Sequence, residues 1–235
     1  MRISYIFAVA LAAVPTGAMS LVIDDFTLEG GVFDGDRNVS VPGFAAGSLT
    51  QSLSPLIDRT LTFDDDIAGA GLSTFGVLDT PPRLSLSTGS IFGGLGPNPV
   101  ATVSYAFTTV LDVSGASGGF DFGTADFSGA GIATPPTASF EVVDADGNAE
   151  SVSAGQLPSS ATPLSFSYAS FTAVDLSRIK SVTLSLEGFD TDVDGNISPQ
   201  FEAEGGSLAP IPLPAGLPLL LAGAGALALL RRRAA

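Results

Sequence analysis

The fold class predicted is all-β: an antiparallel β-sandwich of jelly-roll, lectin-like type. A cleaved N-terminal signal helix and a single C-terminal transmembrane helix are expected to flank it. Three observations predict this. Short runs of alternating apolar and polar residues recur along the chain, the spacing of half-buried strands. Clusters drawn from 28 Gly and 16 Pro punctuate those runs. Between residues 21 and 206 no segment carries the 3.6-residue period of an amphipathic helix. A closed barrel is the alternative way to arrange such strands.

At the N-terminus, Arg2 precedes an uncharged apolar run from Ile3 to Val14, and Ala18-Met19-Ser20 follows with small residues at the positions a signal peptidase reads. Residues 1–20 are therefore expected to be removed, with cleavage before Leu21; cleavage after Ala18 fits nearly as well. The apolar run is too short to span a bilayer comfortably.

The body, residues 21–206, is expected to be one domain. Its clearest strands are Arg59–Phe63, Arg83–Ser87, Ala101–Phe107, Ser139–Val143, Leu164–Tyr168 and Ile179–Leu186. In the last of these, Ile179, Val182, Leu184 and Leu186 take mostly one face, and Lys180, Ser181, Thr183 and Ser185 take the polar positions. Every phenylalanine except Phe7 lies past the signal, and these rings are the expected core. The Gly-rich stretches Gly89–Pro99 and Gly115–Gly131 read as loops, with Asp121 and Asp126 in a turn-rich edge. Glu202–Ala209 reads as a short flexible spacer. No repeat of 20 to 50 residues points to a solenoid or propeller.

Composition excludes much chemistry. The chain has no His, no Cys and no Trp, which removes disulfides, thiol nucleophiles, Ser-His-Asp devices and zinc or haem sites built on Cys or His. With 24 acidic against 9 basic residues the net charge is −15. Setting aside Arg2 and the three arginines near the C-terminus leaves five basic residues and a net −19 for the body. Such a surface repels nucleic acid and invites divalent cations.

The acidic run Asp190-Thr191-Asp192-Val193-Asp194-Gly195-Asn196 places carboxylates at alternate positions before a glycine, like the first half of a calcium loop. Asp190, Asp192 and Asp194 are its candidate Ca2+ ligands, with Asn196 adding a carbonyl. The second half departs from the motif, since the twelfth position is Phe201 and Glu202 comes one residue late. An exposed acidic turn is the competing reading. Asp144-Ala145-Asp146-Gly147-Asn148 reads first as a hairpin turn. The runs Asp24-Asp25 and Asp64-Asp65-Asp66 put neighbouring carboxylates on opposite faces, so they are not expected to converge on one ion.

Residues 207–235 carry the most specific signal. No charge occurs from Ser207 to Leu230, a stretch long enough for the roughly 20 helical residues that cross a hydrocarbon core. The helix itself is expected over about 213–230. Arg231, Arg232 and Arg233 follow, and the positive-inside rule keeps them cytoplasmic with the body outside. Just ahead stands Ile211-Pro212-Leu213-Pro214-Ala215-Gly216, whose two prolines hold it extended and accessible at the membrane face. The motif, the Leu-rich helix and the arginine cluster together resemble a bacterial VPLPA-CTERM sorting signal, a variant of the PEP-CTERM system. The resemblance covers about residues 209–235. It departs at Ile211, where the family has Val, and in ending Arg-Arg-Arg-Ala-Ala. It implies processing near Pro214-Ala215 by an exosortase-type membrane protease and delivery to the cell surface or an exopolysaccharide matrix.

Three functions follow in order of support. The first is a non-catalytic surface or matrix protein. The second is a calcium-assisted carbohydrate-binding module, against which the shortage of Tyr and Trp counts. The third is a glycoside hydrolase, for which nothing singles out an acid and a nucleophile among 24 carboxylates. A Ser-Lys device would need Lys180, which sits on a solvent-facing strand position.

Overall fold

The computed structural model describes residues 20–33, 44–64, 74–88, 99–127, 135–189 and 194–208. Residues 1–19 of the expected signal segment, the sorting motif Ile211–Gly216, the expected apolar helix and Arg231–Arg233 lie outside them, as do Asp190, Asp192 and most of Gly89–Pro99. Among the described residues there are sixteen strands and one 3-10 turn, and no helix is long and apolar enough to cross a membrane. The strands, numbered in chain order, form two sheets.

The nine-stranded sheet runs β1 (Leu21–Asp24), β15 (Phe201–Ala203), β9 (Gly119–Asp126), β14 (Asp194–Ser198), β7 (Pro82–Ser87), β6 (Thr74–Asp79), β2 (Gly30–Phe33) and β3 (Phe44–Ala46), with β12 (Thr162–Ser167) also on β9. The seven-stranded sheet runs β11 (Ala149–Gln156), β10 (Thr137–Asp144), β13 (Ile179–Glu187), β8 (Val100–Asp112), β5 (Ile57–Asp64) and β4 (Ser48–Ser54), and β16 (Ser207–Leu208) pairs with β8. All these pairings are antiparallel except β2 with β3. The inner faces meet through one buried cluster, as in a β-sandwich. Phe140 of the seven-stranded sheet sits 4.9 Å from Phe120 and 5.5 Å from Phe122 of the other, ring centre to ring centre. Phe122 stacks on Phe201 at 4.1 Å with the rings nearly parallel, and Tyr105 of β8 meets Phe201 at 4.9 Å.

All six alternating runs lie in strands: β5, β7, β8, β10, β12 and β13. Only Tyr168 departs, opening the 3-10 turn Tyr168–Ser170 directly after β12. In β13 the inward residues Ile179, Val182, Leu184 and Leu186 are buried, while Lys180 is exposed.

Two expectations are corrected. The stretch Gly115–Gly131 is not all loop, because β9 runs through it and is flanked by β12 on one side and by β14 and β15 on the other. Phe120 and Phe122 are fully buried there. Gly119 and Gly123 mark close backbone approach instead of a turn-rich edge: Gly123 has φ +74°, and a Cβ built on it would overlap the Ser198 carbonyl oxygen. Asp121 and Asp126 are therefore strand residues, and the Asp121 carboxylate accepts the Gly123 N–H at 2.8 Å. The second correction concerns Glu202–Ala209. Glu202 and Ala203 belong to β15, and Ser207 and Leu208 pair with β8, so two short strands joined by a turn at 204–206 replace the spacer as far as 208. Phe201 and Ala203 are buried on either side of Glu202, an alternation too short to stand out in the sequence.

Candidate functional site

Local chain direction builds this site. β1 ends at Asp24, and the backbone then turns through Phe26, whose φ of 55° is unusual for a side chain of that size. Asp24 and Asp25 part company at the end of β1, where a register shift between Val22 and Asp24 leaves both Ile23 and Asp24 buried. Asp25 stays exposed and accepts the Thr27 hydroxyl at 2.6 Å, a bond that lowers its pKa. Asp24 is 3% exposed and points into the sandwich. There the Arg59 Nη1 of β5 donates to its Oδ2 at 2.7 Å, and the Tyr105 hydroxyl of β8 donates to the same oxygen at 3.0 Å. The Phe26 N–H donates to Oδ1 at 2.9 Å.

Arg59 is itself fully buried, and its second amino group reaches the Leu28 carbonyl and, at 2.6 Å, the Gln51 amide oxygen. Gln51 then donates to the Glu29 carbonyl at 2.7 Å. The network thus ties β1 and the Asp25–Glu29 turn of one sheet to β4, β5 and β8 of the other. Burial, followed by the adjoining Asp24 charge, pushes the Tyr105 phenol well above its ordinary pKa and keeps it a neutral donor. Nothing in the sequence marks Arg59, since a cation at an inward period-2 position reads only as a break in an apolar face. Its charge partner, Asp24, lies 35 residues back in the chain.

Beside this network an open groove of about 480 Å³ is walled by Leu21, Val22, Ile23, Leu28, Leu53 and Leu208, with Asp25, Thr27 and Ser54 among its polar groups. Val22 and Leu28 are the exposed large apolar side chains among the described residues, at 44% and 43%. The first strand residue, Leu21, and the last, Leu208, therefore line the same groove. The chain enters and leaves the described fold on one side.

No family model and no curated protein matches this chain. Among solved structures, the crystal structure of an agarase, AgWH50C, is similar over 70% of this chain at a TM-score of 0.41 and 14% identity. The match spans 25% of that agarase chain.

The sequence-predicted ligands fall as follows. Asp194 and Asn196 lie on β14, Asp194 opposite Ser87 and Asn196 between Ser85 and Asp126. Gly195, expected to make a sharp turn in a calcium loop, is instead a strand residue, and a Cβ there would overlap the Phe127 ring. Asp190 and Asp192 lie outside the described residues. Among the described residues no three carboxylates gather as a metal-ligand set.

Asp144 forms the hairpin turn expected of it. Its Oδ1 accepts the N–H groups of Asp146 and Asn148, both at 2.9 Å. Its Oδ2 accepts the Asn148 side chain at 2.8 Å and the Asp175 N–H at 3.0 Å. The Asn148 amide and these N–H groups pull its pKa down to about 2. Elsewhere Asp112 holds Ser114, Asp175 holds Ser177, and Glu204 holds the Gly119 N–H, each at 3.0 Å or less. These carboxylates fasten turns.

Proposed function

We propose that this chain is an exported, non-catalytic protein of the cell surface or exopolysaccharide matrix. It is sorted through its C-terminal segment by an exosortase-type membrane protease. The observation that carries this reading is the shared position of Leu21 and Leu208 on one groove. A folded unit whose two ends leave together can be tethered from one side and released by a single cut, with its remaining surface free to meet the matrix. The use of Asp24, Asp112, Asp144, Asp175 and Glu204 as structural acceptors supports a body that binds and does not turn over substrate. A jelly-roll arrangement of the two sheets belongs to the same reading. It is supported by β9 lying beside β14 and β15, which come far later in the chain.

The test is the intact mass of the native protein taken separately from membrane and cell-surface fractions. A surface species beginning near Leu21 and ending near Pro214 is expected. A membrane species still carrying Arg231–Arg233, with none released, overturns the sorting step and leaves a plain C-terminal anchor.

A further inference from the structure

The outer face of the seven-stranded sheet carries hydroxyl groups in register across six strands. Thr50, Thr60, Ser104, Thr183, Glu141 and Ser151 stand opposite one another in a row from β4 to β11. Two residues along each strand, Ser48, Thr62, Thr102, Ser185, Ser139 and Ser153 form a second row. All twelve side chains are exposed or half-buried, while the alternate positions Leu61, Val103, Leu184 and Phe140 are buried. The register shifts of this sheet fall outside the two rows or at their β10–β11 border. Thr50 with Thr60, and Ser104 with Thr183, share hydrogen bonds of 2.9 Å that hold neighbouring hydroxyls in place.

We propose that this face binds neutral, hydroxyl-rich polysaccharide chains laid across the strands. The inference rests on the matrix-associated reading above and names its ligand class. A hydroxyl both donates and accepts, which suits it to sugar hydroxyls of either orientation. The strand pitch is about 4.8 Å, close to the length one pyranose ring occupies along an extended chain, so successive sugars meet successive hydroxyls. The threonine methyls add apolar contact for the C–H faces of the rings. Charge selects the polymer: eleven of the twelve positions are uncharged, Glu141 is the exception, and the body carries a net −19. An anionic chain is repelled by that field, and a neutral one is not. Each hydroxyl contributes little alone, because water competes for it, so binding requires a polymer that engages many at once.

The experiment is affinity electrophoresis of the exported protein in native gels containing hydroxyethylcellulose, agarose or carboxymethylcellulose. Retardation by one or both neutral polymers, and not by the anionic one, is expected. Thr102→Arg with Thr183→Arg should abolish it. Thr60→Val, Thr62→Val, Thr102→Val and Thr183→Val together, which keep the β-branched shape and the fold, should weaken it strongly at an unchanged melting temperature. No retardation of the wild type, equal retardation by carboxymethylcellulose, or full retardation of both variants overturns the proposal. Partition into ice, or a dimer in sedimentation that the arginine pair disrupts, in place of retardation by the neutral polymers would assign the array to those partners instead. A negative result here alongside a processed surface species by mass removes the ligand and leaves the sorting reading standing.

Discussion

Arg59 occupies an inward position of β5, where Ile57, Leu61 and Phe63 point the same way and are buried. A guanidinium tolerates that place only with its charge matched and its donors used, which Asp24, Gln51 and the Leu28 carbonyl provide. Its Nε alone lacks a partner. A buried pair of this kind adds little net stability over an apolar replacement, yet breaking one side leaves a charge stranded in the core. Arg59→Met should therefore cost about 3–5 kcal/mol in urea unfolding. Asp24→Asn combined with Arg59→Met should cost clearly less than the two single changes added together. Strict additivity in that cycle would mean that the two side chains are not energetically coupled.

At the scale of the element, the β10–β11 hairpin is held by one carboxylate. Asp144 accepts four hydrogen bonds from Asp146, Asn148 and Asp175, and its pKa stands at about 2 in the folded protein. An unfolded aspartate titrates near 3.9. Because the folded value is the lower one, the ionised Asp144 favours the fold fully above about pH 4, and that advantage fades as pH falls towards 2. The melting temperature of the wild type should exceed that of Asp144→Ala at neutral pH, and the difference should shrink on acidification through this window. A gap that stays constant from pH 6 to pH 2 would mean that the ionised form has no special role.

Across the whole molecule, the two sheets depend on strands from both ends of the chain. β1 closes against β15 at one end of the nine-stranded sheet, and β16 pairs with the far end of β8, beside the groove that Leu208 lines. A chain ending after Leu208 should be secreted folded and melt like the full-length protein. Ending it after Gly206 deletes β16 and uncovers Leu111 and Asp112 of β8, which should cost roughly 1 kcal/mol. Melting curves of the two secreted products decide this; identical curves would place β16 outside the cooperative fold.

How much was legible follows from the range of each interaction. The six alternating runs could be read because a strand's two faces are printed every second residue, as in Ile179–Leu186. The Asp144 turn could be read because its acceptor and its first donors lie within four residues. β9 was hidden because Gly119 and Gly123 answer to strands arriving from elsewhere and not to a local turn. β15 was hidden by its three-residue length. For the candidate site, Asp24-Asp25 showed an acidic pair on opposite faces but gave no sign of which carboxylate turns inward, since Arg59 and Tyr105 decide that.

By itself, then, the sequence determined an all-β body, its clearest strands, its phenylalanine core and the exclusion of histidine and cysteine chemistry. Each of these depends on composition or on neighbours a few residues apart. Only the tertiary structure decided the strand order, the burial of Arg59 against Asp24, the meeting of Leu21 with Leu208, and the alignment of hydroxyls from six strands into rows. These are pairings between distant segments, and a strand's period sets which face a side chain takes without naming the strand that will lie beside it.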